Sequence, residues 1–137
     1  MNAIDLLVMK KNNFKKIKSI ADQQEELLIE DRIEEYLSLS AKRDRIKGEI
    51  ESGQKKYKSV LEKPDRKEKE LAMIINREIA EIIESIMDVD KKIELLIRDK
   101  KDSVLNEIKG LKKARTAVKS YGNKKPQIES RFIKTIG

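Results

Sequence analysis

Apolar residues recur at alternating spacings of three and four along the second half of the chain. Between residues 71 and 121 they form one apolar seam on a charged background. Its positions are Ala72, Ile75, Ile79, Ile82, Ile86, Val89, Ile93, Ile97, Val104, Ile108, Leu111, Arg115 and Val118. This spacing predicts a coiled-coil helix, whose seam residues insert between residues of a partner helix. No proline interrupts these residues, so we predict one long helix.

The first half of the chain carries a less regular version of the same pattern. Residues 1–30 indicate a helix with a ragged seam, which residues 12–13 weaken because asparagine is a poor helix former. The apolar face drifts at the end of this stretch. A cleaner series then runs from Tyr36 to Val60, although it includes Arg43. We therefore predict a second amphipathic helical region before residue 62.

Pro64 marks the boundary between the two halves. Proline lacks the amide that would continue a helix, and it pushes the preceding residue out of the α region. Asp65 can cap the following helix, and Glu68 three residues later completes a pattern that resembles a capping box. A short connection between two long amphipathic helices is typical of an antiparallel helical hairpin.

These elements predict an all-α fold in which two long amphipathic helices form an antiparallel coiled-coil hairpin. The hairpin occupies residues 1–121, with arms at about residues 15–62 and 66–121 and a turn at residues 63–65. A short basic C-terminal tail follows at residues 122–137. The rod is too thin to bury its whole seam, so a second copy of the chain or another protein can cover the remainder.

The formal net charge of +7 lies at the C-terminal end of the chain. From residue 112 onward there are eight Lys and Arg residues and one acid, Glu129, whereas the preceding residues sum to zero. Basic residues neutralise phosphates, and Tyr121 and Phe132 can stack on bases. Two isolated aromatic residues do not make a stacking platform. We therefore do not expect nucleic-acid binding through this basic end, and it stays an alternative.

Most catalytic and metal sites need residue types that the chain lacks, or a pocket around the residues that it has. The chain has no His and no Cys, which excludes imidazole and thiolate chemistry. Acid pairs such as Glu81/Glu84 and Asp88/Asp90 would need a pocket that shifts their pKa values, and a rod offers none. Neither glycine-rich phosphate motif occurs. We predict a protein that is not an enzyme and that holds no cofactor or metal ion.

No apolar run approaches the length of a membrane span, which is about 20 residues. Residues 3–9 contain an acidic residue and lack the basic N-terminal region of a signal peptide, so they do not indicate one. We expect a cytoplasmic protein.

Two stretches have a recognisable arrangement of residues. Residues 27–39 combine paired leucines, an acidic spacer and a further Leu-rich turn, and basic residues follow at 42–43. Residues 111–122 form a basic segment that ends in tyrosine and glycine, and Arg-Phe-Ile follows at 131–133. Together they resemble the flagellar type III export chaperones of the FliT and FlgN kind.

The resemblance implies a small cytosolic chaperone. Such a protein binds the helical terminus of a hook-associated or filament-capping protein, prevents premature assembly and delivers its substrate to the export apparatus. We expect helix-in-groove binding near the end of the second arm, with basic residues orienting the partner. The predicted partner-binding residues are Leu105, Ile108, Leu111, Arg115, Val118, Tyr121, Phe132 and Ile133. A structural coiled-coil protein is a further alternative, and a homodimer stays open.

Overall fold

The structure, a computed structural model, describes residues 2–61 and 63–118, with side chains as far as residue 114. These residues form four α-helices and contain no β-strand. The helices are α1 (Ala3–Ile29), α2 (Ile33–Val60), α3 (Arg66–Asp99) and α4 (Lys101–Val118). The prediction of an all-α fold is confirmed. The predicted basic tail lies outside the described residues.

The predicted hairpin of two long helices is not confirmed, because each expected arm is divided. The first arm is interrupted between Ile29 and Ile33, where Asp31 has a left-handed φ of 58°. L-residues seldom adopt this conformation, which is incompatible with a right-handed helix. The second arm is interrupted at Lys100, whose φ of −108° and ψ of 17° separate α3 from α4.

The break predicted at Pro64 is confirmed. Helix α2 ends at Val60 and α3 begins at Arg66. The side chain of Asp65 accepts a 2.8 Å hydrogen bond from the backbone nitrogen of Glu68. This bond satisfies one of the free amides at the start of α3.

Helices α1 and α2 are antiparallel. Lys10 Nζ donates to Gln54 Oε1 at 2.9 Å, which joins the early part of α1 to the late part of α2. Gln24 Nε2 donates to Ser40 Oγ at 2.8 Å, which joins the opposite ends. We call the end of the bundle that holds the α2–α3 connection the lower end, and the end that holds the α1–α2 connection the upper end.

Helices α1 and α3 are parallel. Near the lower end, the ammonium of Lys11 forms an ion pair with Glu78. At the upper end, Lys100 Nζ donates to the carbonyl oxygen of Leu28 at 2.8 Å and contacts Asp31 at the same distance. Helix α1 therefore lies between an antiparallel and a parallel neighbour.

The predicted seam of the second half lies in the core of the molecule, together with buried residues of α1 and α2. Its buried members on α3 and α4 are Ile75, Ile79, Ile86, Val89, Ile93, Ile97, Val104 and Ile108. Three clusters follow one another along α1. The lower one centres on Leu7, the middle one on Ile17 and Ile20, and the upper one on Ala21 and Leu28. Among the side chains that the structure describes, those of helix α4 join only the upper cluster.

Candidate protein-binding site

Two of the predicted partner-binding residues on α4, Ile108 and Leu111, pack against the chain's own bundle. Ile108 is buried in the upper core cluster beside Val104. Leu111 is partly buried and packs against the same cluster, and Leu105 is half-buried. The seam of α4 therefore already contacts a neighbouring helical surface, although that surface belongs to the same chain.

The remaining predicted residues are not tested by the structure. Arg115 and Val118 lie within α4, but their side chains are outside the described part. Tyr121, Phe132 and Ile133 lie outside the described residues. A role in partner binding stays a prediction for these positions.

An apolar cavity at the lower end was not anticipated from the sequence. It has a volume of about 620 Å³ and lies where the start of α1, the end of α2 and the start of α3 meet. Its apolar lining consists of Ala3, Ile4, Tyr57, Val60, Leu61, Pro64, Ala72 and Met73. The periodicity of each helix gave no indication of it, because the cavity depends on bringing residues 3–4 next to the α2–α3 connection.

The cavity is open at a surface with several exposed apolar side chains. Val60, Leu61 and Met73 are 41%, 46% and 63% exposed, respectively. Contiguous exposed apolar side chains mark surfaces at which proteins bind other proteins or ligands. The one local feature of the sequence that indicated this apolar surface was the Val60-Leu61 pair directly before a helix break.

Charged and amide side chains surround this apolar surface. Lys63, Lys69 and Glu68 line the cavity together with Asn2 and Asn76. Two of the three charges are positive, so the rim favours an acidic group on a ligand. The arrangement suits apolar anchoring with polar orientation at the edge.

A second concavity of about 620 Å³ lies between α1 and α2. Leu6, Met9 and Val60 contribute apolar surface, while Lys16, Lys56 and Glu49 contribute charge. This concavity is more polar than the lower-end cavity, and it runs alongside helices that already pair with each other. It is the weaker candidate for an apolar ligand.

A polar network crosses the bundle between its middle and upper core clusters. Arg43 on α2 forms two hydrogen bonds with the carboxylate of Asp90 on α3, at 2.9 and 2.6 Å. Its guanidinium also donates to Gln24 Oε1 at 3.1 Å. Gln24 on α1 in turn donates to the Tyr36 carbonyl oxygen at 3.3 Å. These bonds tie three helices together at one level, and we assign them a structural role.

Burial raises the pKa of the Tyr36 hydroxyl in this region to about 12. The nearby positive charge of Arg43 and a hydrogen bond with Ser40 act in the opposite direction, but burial dominates. Tyr36 therefore stays protonated and neutral at physiological pH. It belongs to the upper core cluster.

Within the described residues, no group of three or more acidic side chains is placed to hold a metal ion. None of the described helices is both long and apolar enough to cross a membrane. No protein-family model, curated protein or solved structure matches this chain.

Proposed function

We propose that this protein is a cytosolic chaperone or adaptor that binds a helical segment of a flagellar export substrate. The substrate would be a hook-associated or filament-capping protein, kept from early assembly and delivered to the type III export apparatus. The observation that supports binding is the exposed apolar cavity at the lower end of the bundle. The partner's class comes from the resemblance of residues 27–39 and 111–122 to chaperones of the FliT and FlgN kind.

The lower-end cavity suits the apolar face of a helix. An amphipathic helix presents large side chains at spacings of three and four, which enter a groove as anchors. Tyr57 and Ile4 supply apolar surface, and the flexible thioether of Met73 adapts to differently shaped side chains. Lys63 and Lys69 at the rim then orient a helix whose polar face is acidic.

The late part of α4 and the following residues form the second region of this proposal. Ile108 contributes to the core of the chain, so we do not assign it a direct contact with the partner. Arg115 and Val118 stand farther along the same helix, and Tyr121, Phe132 and Ile133 follow. These residues would hold a separate segment of the substrate, because α4 joins the upper core cluster, at the other end of the bundle from the cavity.

The test is retention of a flagellar protein by the purified, tagged chain. The chain is incubated with lysate of its native cell at about 0.3 M salt, where binding that depends on phosphate contacts is strongly weakened. Samples are compared with and without nuclease, and retained proteins are identified by mass spectrometry. We expect a hook-associated or filament-capping protein that remains after nuclease treatment. Recovery of nucleic acid alone, lost after nuclease, would favour the basic-end alternative and contradict the proposal.

Matched variants locate the binding surface. Val60→Asp places a charge in the cavity, and Val8→Asp is its control because both valines are 41% exposed and Val8 does not line the cavity. We expect Val60→Asp to abolish retention and Val8→Asp to preserve it. Val118→Asp tests the late α4 region in the same way. Circular dichroism checks that each variant stays helical. Unchanged retention by a helical Val60→Asp variant would remove the cavity from the site.

A further inference from the structure

Helix α3 carries an uncharged stripe beside its core-facing side, and one member of the stripe, Ile83, also packs against the lower core cluster. Met73, Asn76, Ala80, Ile83 and Met87 follow one another at spacings of three and four, which places them along one side of the helix. Met73 and Met87 are 63% and 55% exposed, respectively. Asn76 and Ala80 are also exposed, and Ile83 is half-buried. The stripe extends for roughly 21 Å at the helical rise.

The stripe is nearly symmetric about its centre. Met73 and Met87 are each seven residues from Ala80. A small residue at the centre allows a second helix to approach closely, while the longer methionine side chains fill the space to either side. A stripe with this symmetry can contact an identical stripe that runs in the opposite direction.

Two charged residues of opposite sign flank the centre of the stripe at nearly equal distances along the helix. Arg77 precedes Ala80 by three residues and Glu84 follows it by four. Both are exposed, and within the described part of the chain neither forms an ion pair. When two copies cross antiparallel at Ala80, Arg77 of each copy lies beside Glu84 of the other. A parallel pair would instead place Arg77 beside Arg77.

We infer that this stripe is an isologous interface through which two copies of the chain associate, with their α3 helices antiparallel. An isologous interface uses the same patch twice, so each favourable contact occurs twice. Charge complementarity selects a second copy in this direction. The stripe is short, which places the interface at the small end of the range for specific association. Dimerisation is therefore concentration-dependent. This inference goes beyond the proposed function, and because Met73 and Asn76 also line the lower-end cavity, self-association and partner binding compete for that end of the stripe.

Sedimentation velocity over a range of protein concentrations tests the interface. We expect the mass of the unmodified chain to rise from that of one chain toward that of two. Arg77→Glu and Glu84→Arg each turn two attractive contacts into two repulsive ones, so each raises the dissociation constant at least about tenfold. Lys92→Glu is the control on the same helix, because Lys92 is exposed and lies off the stripe.

Mixing the two single variants distinguishes the antiparallel interface from general charge effects. An equimolar mixture of Arg77→Glu and Glu84→Arg restores both pairs between unlike chains, so we expect a heterodimer. The double variant R77E/E84R restores them between like chains. A chain that stays monomeric at all concentrations, an equal effect of Lys92→Glu, or no recovery on mixing would each overturn the inference.

Discussion

Arg43 shows how a charged residue occupies a core position. The sequence placed it in the seam of the first half, and the structure gives its role. Its guanidinium fork pairs with both carboxylate oxygens of Asp90, and the rest of its side chain is largely buried. The seam indicated the position of Arg43. The partner was not predictable from the sequence, because it lies on another helix and is set by how α2 and α3 are positioned around α1.

Asp90→Ala is expected to lower the free energy of unfolding by about 2 kcal/mol. The substitution leaves a largely buried guanidinium without its carboxylate, which is costly, although partial exposure of Asp90 reduces the effect. Glu94→Ala is the matched control, because Glu94 pairs with Arg98 one turn along the same helix at an exposed site. We expect a loss of about 0.5 kcal/mol or less there. Urea denaturation measures both, and equal losses would contradict the structural role of the Arg43–Asp90 pair.

Tyr36 makes the stability of the fold depend on pH in the alkaline range. Burial raises its pKa from 10.0 to about 12 in the folded chain. Between these values the folded state keeps the proton and the unfolded state loses it. Stability from this group is therefore complete below pH 10 and falls as pH rises toward 12, with a slope of up to roughly 1.4 kcal/mol per pH unit.

The Tyr36→Phe variant should lose this component of the pH dependence. We expect its stability, measured by urea denaturation from pH 9 to 12, to fall less steeply than that of the unmodified chain. Tyr57→Phe is the control, because Tyr57 is only partly buried. All three proteins have the same lysines, so the difference in slope is the informative quantity. Identical slopes for the unmodified chain and Tyr36→Phe would contradict the assignment.

At the scale of the element, the connection between α1 and α2 depends on two residues that are distant in sequence. Asp31 adopts the left-handed conformation that reverses the chain. Lys100 Nζ contacts the Asp31 carboxylate at 2.8 Å and also the carbonyl oxygens of Leu28 and Ile29, at 2.8 and 3.3 Å. The last carbonyls of α1 lack partners within the helix. Lys100 therefore completes the end of α1 while separating α3 from α4.

The stability of variants at Asp31 should depend on how well each new residue tolerates the left-handed backbone conformation. Asp31→Val is expected to lower the free energy of unfolding by about 1–2 kcal/mol, because a β-branched side chain is strained at positive φ. Asp31→Gly should be close to neutral, since relief of backbone strain offsets the lost contact with Lys100. Thermal and urea denaturation compare the two. Both variants lose the contact with Lys100, so a glycine variant less stable than the valine variant would contradict the role of the left-handed backbone at this position.

The sequence was a better guide to the buried residues than to the points at which the helices are divided. The α3 seam is buried as expected, because a regular spacing identifies one face of a helix. The ragged seam of α1 has a physical explanation in the fold. This helix packs against α2 and α3 together, so its buried residues, such as Leu6, Leu7, Ile20 and Ala21, cover a broad face. The interruptions at Asp31 and Lys100 depend on tertiary contacts, and the local pattern indicated only a drift near the first.

In the whole molecule, the candidate site forms where the start of α1, the end of α2 and the start of α3 lie together. The sequence identified Pro64 as a turn but not as part of the lining of an apolar cavity, because that requires the start of α1 to lie beside it. On α4 the periodic residues were expected to bind a partner, and Ile108 packs into the chain's own core. A regular seam identifies a face that will be covered. It does not identify which chain covers it.

The most direct test of helix capture is the composition of the complex in solution. The purified chain is mixed with the purified flagellar protein identified by retention from lysate, and light scattering gives the mass of the product. We predict a complex with equal numbers of the two chains that persists at about 0.3 M salt, because apolar anchoring is far less sensitive to salt than phosphate contacts. Helix capture would be contradicted by a chain that associates only with itself and forms no complex with the added protein.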